Sequence, residues 1–191
     1  MLYGLDRHLT DGTIMTTTTL LRTSEIFSSR LKTLLYLLGK AEEEWKSKGS
    51  DPAALLAGRI APDMLPLPYQ IVFACNQPND LAAWLEGSQR ERASPEALSL
   101  GELRAHVEAA IARQQEVVAK ADDKLLDRIK HIELLQGMSV DLPGQDYVDD
   151  WLLPNFYFHI VTAYDILRHL GVTIGKADYM AHLASRVRHA A

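Results

Sequence analysis

The sequence predicts a mostly helical protein: a four-helix bundle with a short β-hairpin before its last long helix. Three observations support this fold class. First, long stretches place apolar residues at the three- and four-residue spacing of a helix with one buried face. Second, one of these stretches begins with a capping box. Third, a later segment changes to the two-residue spacing of strands. The chain has 191 residues, of which 47% are apolar and 24% charged, enough for one domain with a substantial core.

The first two helices are predicted from their apolar spacing. The first extends over residues 17–48, and the second over residues 67–86 after a proline-rich connection. Pro78 removes one backbone donor inside the second helix, so we expect a kink or a break at residues 75–79. The apolar face of the first helix advances in alternating steps of four and three and consists of Leu20, Ser24, Phe27, Leu31, Leu34, Leu38, Ala41 and Trp45.

The third helix and the hairpin follow a polar connection. Ser99 and Glu102 have the spacing of a capping box, which marks the start of the third helix. Apolar residues then alternate on both sides of Gln136, as in two short strands joined by a turn. The alternative, that residues 124–135 extend the third helix, stays open.

The last long helix is predicted to begin at about Tyr147 or Pro154. It ends at His169, because Gly171 follows and glycine is common just after a helix. A short final helix is expected within residues 177–188.

The first residues differ from the rest of the chain. Residues 1–16 are predicted to be a flexible leader, and residues 17–191 a single four-helix-bundle domain, with Met15 as an alternative to Met1 for the natural start. The leader lacks the apolar run of a secretory signal, and no stretch reaches the length that spans a bilayer. We therefore expect a cytoplasmic protein with no membrane partner.

Charge and cysteine content exclude further classes of protein. The net charge is −5, whereas a nucleic-acid-binding domain usually presents a basic face, so we expect no nucleic-acid partner. Cys75 is the single cysteine, which rules out an intrachain disulfide. A lone thiol of this kind is usually a small buried hydrophobe.

Two polar residues lie within the predicted apolar face of the last helix. Asn155 and His159 are four residues apart and therefore on one side of the helix, together with Leu152, Thr162 and Ile166. A buried polar group without a partner costs about 1–3 kcal/mol, so these groups need partners. Three interpretations stay open: an internal hydrogen-bond network, a ligand or substrate pocket, and a metal site.

Two other features could contribute to a pocket. Asn76 lies beside Pro78, where a kink would open space in the bundle. Arg59 and Asp63 in the proline-rich connection could form a salt bridge at the mouth of the bundle. An exposed pair contributes little, whereas a buried pair would be a candidate handle for an anion or a proton.

Several sequence blocks are similar to a known family. They are Arg59–Met64, Gln70 with Ala74–Asn76, Leu153–His159, Ala163–His169 and Gly175 with Lys176. These blocks resemble the domain-of-unknown-function family 1993 of the DinB/YfiT-like superfamily, and the resemblance extends from about Thr17 to Tyr179. It implies an up-down-down-up four-helix bundle.

The resemblance also implies a place for a metal. Many members of the superfamily bind a divalent ion through one histidine on the second helix and a His-x-x-x-His pair on the last, and some are thiol-dependent transferases or isomerases. The resemblance places Asn155 and His159 at the pair and Asn76 near the second-helix position. Because an amide is a weak ligand for first-row metals, we expect no cofactor; a zinc or nickel ion on His159 is the alternative.

Three functions are compatible with these residues. The first is a metal-free enzyme of the isomerase, cyclase or lyase type, acting on a largely apolar small molecule in a pocket within the bundle, with His159, Asn155 and Asn76 as catalytic or orienting groups. The second is a metal-dependent thiol transferase or hydrolase, and the third a non-catalytic structural or interaction bundle, with a homodimer as an open alternative. In the first, the expected substrate-binding residues are Tyr157, Phe156, Phe158, Thr162, Arg59, Asp63, Gln70 and Phe73.

Overall fold

The chain folds into a bundle of four long helices with one two-stranded sheet. A computed structural model describes residues 19–90 and 93–188, so the predicted leader lies outside the described residues. The helices are α1 (Thr19–Ser47), α2 (Leu67–Glu86), α3 (Leu100–Val118), the single turn α4 (Gly144–Asp146), α5 (Leu153–His169) and α6 (Lys176–Tyr179), and the strands are β1 (Ile129–Glu133) and β2 (Ser139–Pro143). A π-helical turn, Tyr147–Leu152, joins α4 to α5, and 3-10 turns occupy Pro52–Ala57, Pro95–Ala97, Asp123–Asp127, Leu135–Gly137 and Ala181–Arg186. The predicted fold class is confirmed.

Carboxylates at the helix ends fix where two of the helices begin. At the start of α3, the amide of Glu102 donates to Ser99 Oγ over 3.3 Å, and the Ser99 amide donates to the Glu102 carboxylate over 2.8 Å, which is the predicted capping box. At the start of α1, Asp123 accepts hydrogen bonds from the amides of Thr19 and Leu20, at 2.8 and 3.1 Å. The first turn of a helix has free amides that need acceptors, so Asp123 ties α1 to the segment before the hairpin.

The second helix continues through Pro78 without a break. Proline removes one backbone donor, but Pro78 is itself buried, together with Cys75 and Leu81. Packing of these side chains outweighs one lost hydrogen bond, whose net contribution is about 1 kcal/mol. A break at residues 75–79 is therefore ruled out, whereas the alternative, a kink, stays a prediction. The predicted burial of Cys75 is confirmed, and this burial raises the pKa of the thiol.

The core lies where α2 packs against α3 and α5, and where α1 packs against α3. Phe27 of α1 and Phe156 of α5 meet edge to face with their ring centroids 4.8 Å apart, and both are fully buried. Burying one such side chain contributes about 1.5–3 kcal/mol. The predicted apolar face of α1 is buried except for Trp45 near the helix end. No helix in the described part of the chain combines the length and apolar character needed to cross a bilayer.

The hairpin is antiparallel, with Ile132 opposite Val140. It turns at Gln136, which has a positive φ of 61°. Because α3 already ends at Val118, the alternative that the third helix extends into this segment is wrong. Arg128 attaches the hairpin to the bundle: its guanidinium lies 4.7 Å from the centre of the Trp84 ring and donates to the Trp84 carbonyl.

Candidate functional site

The candidate site is built around a hydrogen bond between His159 of α5 and Gln70 of α2. His159 Nδ1 lies 2.9 Å from Gln70 Oε1. Gln70 is only 4% exposed, and its Nε2 donates to the Leu65 carbonyl over 2.9 Å, which fixes the orientation of the amide. An amide oxygen only accepts, so Nδ1 of the imidazole carries the hydrogen and Nε2 keeps its lone pair.

Aromatic rings surround the imidazole of His159. Phe73 and Phe158 each pack against it edge to face, with ring centroids 5.2 Å away. Burial lowers the pKa of His159 to about 4, because an apolar environment disfavours the imidazolium cation. The imidazole is therefore neutral at pH 7. Nε2 has no hydrogen-bond partner within residues 19–90 and 93–188, and it is not one of the polar atoms enclosed there without a partner, so it retains contact with solvent.

The buried face of α5 is rotated relative to the prediction. Leu152, Thr162 and Ile166 are buried as expected, whereas Asn155 and His159 are half-buried at the margin of the face. The centre of the face is formed by Phe156, Ile160, Ala163 and Leu167. Because α5 packs against both α1 and α2, a wide arc of the helix is buried, and its centre is apolar. The prediction that the imidazole and the amide occupy the middle of the bundle is therefore wrong: His159 lies at the boundary between α2 and α5.

The two asparagines lie at a similar height along α2 and α5. Gln70 meets His159, and Trp84, fourteen residues later, packs against Tyr147 with ring centroids 5.4 Å apart. Later residues of α2 thus meet earlier residues of the last helical stretch, so the two segments are antiparallel, which places Asn76 at the level of Asn155. Among the described residues, no hydrogen bond joins either asparagine to His159.

Each asparagine keeps hydrogen-bonding capacity. Asn155 Nδ2 donates to the Trp151 carbonyl over 2.6 Å, which uses one of the two amide hydrogens and leaves the amide oxygen free. Asn76 is half-buried and has no hydrogen-bond partner in the described part of the chain. Both side chains can therefore donate a hydrogen bond to an additional group.

The other expected substrate-binding residues are distributed unevenly. Phe73 and Phe158 contact the imidazole, and Phe158 is 61% exposed. Thr162 Oγ1 donates to the Phe158 carbonyl of its own helix over 2.7 Å. Tyr157 is half-buried, and its ring packs against that of Phe156, at a centroid distance of 5.7 Å. The ring of Phe156 belongs to the core, where it meets Phe27.

Arg59 and Asp63 remain on the surface of the proline-rich connection. Both side chains are exposed. Arg59 Nη1 lies 3.5 Å from the Pro62 carbonyl, and no ion pair joins it to Asp63 within the described ranges. The structure therefore does not bring these two residues to His159.

Two enclosed polar atoms on α2 and α3 were not predicted. Asn79 Oδ1 on α2 and His106 Nε2 on α3 are enclosed without a hydrogen-bond partner among the described residues. Asn79 lies three residues after Asn76, so the two share one side of α2. The spacing of Asn76 and Asn79 could have predicted from the sequence that both amides lie on one side of α2. The enclosure of His106 depends on how α3 packs, so no local sequence pattern could have predicted it.

The residues at the site do not fit a divalent metal ion. His159 offers one imidazole, its hydrogen-bond partner Gln70 offers a neutral amide, and so do Asn76 and Asn155 one turn away; amides bind first-row metals weakly. The described residues contain no group of three or more His, Cys, Asp or Glu side chains placed to hold a metal.

Comparison with known proteins identifies the family. The model of the domain-of-unknown-function family DUF1993 matches residues 22–180. The chain belongs to the DUF1993 family. The family resemblance of the sequence blocks is thereby confirmed, and the DUF1993 family carries no assigned reaction.

The structural comparison agrees with the DUF1993 assignment. The chain is similar to the crystal structure of a DinB family member protein from Shewanella denitrificans, with a TM-score of 0.70 and 28% sequence identity over 85% of this chain and 96% of that one. This DUF1993 chain therefore has the DinB-like fold. No curated protein of established function matches it.

Proposed function

We propose that this DUF1993 protein binds a small, largely apolar molecule with a carbonyl group at the boundary between α2 and α5 and promotes proton transfer on it without a metal. The observation that carries the proposal is the state of His159. Its Nδ1 donates a hydrogen bond to Gln70 Oε1 over 2.9 Å. Its Nε2 lone pair has no partner within residues 19–90 and 93–188. A neutral imidazole with one fixed and one free nitrogen is the arrangement of a general base.

The proposed reaction is a proton shift next to the carbonyl group. His159 Nε2 takes a proton from the carbon beside the carbonyl, the electron pair of that C–H bond forms a carbon–carbon double bond, and the π electrons of the carbonyl move onto its oxygen. Gln70 Oε1 accepts the Nδ1 hydrogen of the imidazolium that forms. An amide hydrogen of Asn76 or Asn155 stabilises the developing oxyanion. Where the substrate has a double bond conjugated with this enolate, return of the proton from His159 to the far carbon of that system gives isomerisation. Where the next carbon has a leaving group, the enolate electrons form a new double bond, that group departs with its bonding pair, and His159 passes the proton to it or to water.

The surroundings of His159 suit an apolar ligand. Phe73 packs against the imidazole and is half-buried, and Phe158 lies beside it with most of its surface open to solvent. Aromatic rings combined with a few polar groups are typical of small-molecule sites. The low pKa of His159, about 4, keeps the base unprotonated over the whole range above pH 5.

A purely structural role is the second candidate. The bonds from Asn155 to the Trp151 carbonyl and from Thr162 to the Phe158 carbonyl are internal to the last helical stretch, as expected of polar groups that only need to be satisfied. In this role, Nε2 of His159 and the amide of Asn76, which both keep contact with solvent, would be hydrated and would bind no ligand. A homodimer remains a prediction.

Hydrogen exchange of a ketone tests the proposal. The probe is 2-tetralone in deuterated buffer, and proton NMR follows the loss of the hydrogens beside the carbonyl. Tetralin, which lacks the carbonyl, measures binding of the apolar part alone. We expect the protein to accelerate exchange beside the carbonyl, and His159→Ala to remove about 10²-fold or more of that acceleration. His169→Ala is the matched control, because His169 is exposed at the end of the same helix. Equal exchange rates for His159→Ala and the unmodified protein would contradict the proposal.

A further inference from the structure

A cavity of about 390 Å³ lies between α1 and the 3-10 turn Ala181–Arg186, and His159 is not part of its lining. We propose that this cavity, here called the basic cavity, binds a small phosphorylated molecule. It is bounded by side chains of α1 on one side and by His182 and Arg186 on the other. The proposal does not depend on the function proposed for His159.

Positive charge dominates the lining of the basic cavity. Four cationic side chains, Arg22, Arg30, Lys32 and Arg186, line it together with one acid, Glu25. Glu25 pairs with Arg22 at 3.2 Å. The other three cations form no ion pair within the described residues. Such a concentration of unpaired cations on a protein of net charge −5 creates a local positive potential that attracts anions.

Hydroxyl groups on α1 add hydrogen-bond donors to this charge. Ser28, 5% exposed, lines the cavity, and its Oγ accepts a hydrogen bond of 2.6 Å from Gln114 Nε2. Gln114 is fully buried on α3. Because the Ser28 oxygen is already an acceptor and has no acceptor of its own in the described part of the chain, its hydroxyl hydrogen is available to a ligand oxygen.

Arginine is held at the cavity by a second serine. Ser29 Oγ donates to the Glu25 carbonyl over 2.6 Å and accepts from Arg30 Nη1 at 2.7 Å. This contact holds the guanidinium of Arg30 beside the cavity while leaving its other donors free. A guanidinium presents several donors in a planar fork, which matches the oxygens of a phosphate group.

His182 marks the opposite wall. Its ring lines the cavity and lies against the backbone of Tyr179. Burial and the nearby charge of Arg30 lower the pKa of His182, so the imidazole is close to the guanidinium of Arg30 and forms an uncharged part of the wall.

A neighbouring cavity gives room for the rest of the molecule. It measures about 310 Å³ and shares Ser29, Lys32 and His182 with the basic cavity, and Thr33 and Tyr36 also line it. The phosphate group would occupy the basic cavity, and an attached organic group would extend along Tyr36.

Calorimetric titration with pyrophosphate tests the charge recognition. We expect saturable binding to the full chain in low salt, and Arg30→Gln and Lys32→Gln each to weaken it about tenfold. Ser28→Ala should weaken it as well, since it removes the hydroxyl donor. Arg59→Gln is the matched control, because Arg59 is an exposed arginine outside the cavity, and it should leave the affinity unchanged. Circular dichroism and melting temperature verify that each variant is folded.

Three outcomes would overturn the proposal. The first is no binding of pyrophosphate at millimolar concentration. The second is an equal loss of affinity in Arg59→Gln and Arg30→Gln, which would mean attraction by overall charge alone. The third is citrate binding as tightly as pyrophosphate with the same dependence on Arg30, which would assign the cavity to carboxylates.

Discussion

A single hydrogen on the imidazole of His159 determines what this residue can do. Gln70 holds that hydrogen on Nδ1, so the lone pair stays on Nε2. The amide of Gln70 is fixed in turn by the Leu65 carbonyl. A side chain in one helix, held by the connection before that helix, thus sets the tautomer of a histidine in another helix.

Replacing the amide of Gln70 by a carboxylate tests this contact. In Gln70→Glu, a negative charge would face Nδ1 and favour the imidazolium, so we expect the pKa of His159 to rise from about 4 by about one pH unit or more. Titration of the histidine ring signals by NMR measures the change, with exposed His169 as internal control. A pKa of His159 that does not move would mean that the side chains do not meet.

The low pKa of His159 also predicts how stability depends on pH. The pKa is about 4 in the folded protein against an ordinary value of 6.5, so between these values the unfolded chain binds more protons and stability falls as the pH decreases from 6.5 to 4. After allowance for partial exposure to solvent, the loss is on the order of 1–2 kcal/mol. Urea unfolding at pH 7 and pH 4.5 should show a smaller loss for His159→Gln. An identical loss in both proteins would contradict this assignment.

At the scale of helices and strands, the start of α1 depends on a residue far along the chain. Asp123 accepts hydrogen bonds from the amides of Thr19 and Leu20. We expect Asp123→Ala to lower the free energy of unfolding by about 1 kcal/mol, as measured by urea denaturation. Asp127→Ala, which removes an exposed acid nearby, should have little effect. Equal stability of the two variants would show that the cap is dispensable.

The turn before α5 requires close approach of three segments. A Cβ atom at Gly144 would lie 2.5 Å from the Leu126 carbonyl oxygen and 2.6 Å from the Trp84 ring. Gly144→Ala should therefore destabilise the fold by about 1–3 kcal/mol. Gly101→Ala is the matched change, because a Cβ there meets nothing within 4 Å, and alanine stabilises a helix by about 0.5–1 kcal/mol. Chemical denaturation measures the free energy of unfolding of both variants. A Gly144→Ala variant that is as stable as Gly101→Ala would contradict the packing described.

At the scale of the whole molecule, most of the fold could be predicted because its signals are local. The capping box at Ser99 fixes the start of α3, and the apolar spacing of α1 reproduces its buried face. A break, one of the two outcomes predicted at Pro78, does not occur because packing by neighbouring helices, which no local pattern contains, holds α2 together.

The site was predicted less well because it depends on contacts between distant residues. His159 and Gln70 are 89 positions apart, and only the family resemblance linked the two regions. The spacing of Asn155 and His159 placed them on one side of a helix but not at the margin of its buried face. The basic cavity was not predicted at all, since Arg30 and Arg186 meet only when the end of the chain packs on α1.

The central claim is that His159 is a neutral imidazole with its hydrogen on Nδ1 and a free lone pair on Nε2. Nitrogen-15 NMR of the histidine rings measures both properties directly, because the two ring nitrogens have different shifts in the two tautomers. We predict that at pH 7 Nδ1 of His159 is protonated and Nε2 is not, and that the ring titrates near pH 4. Protonation on Nε2, or titration near the ordinary value of 6.5, would contradict the account.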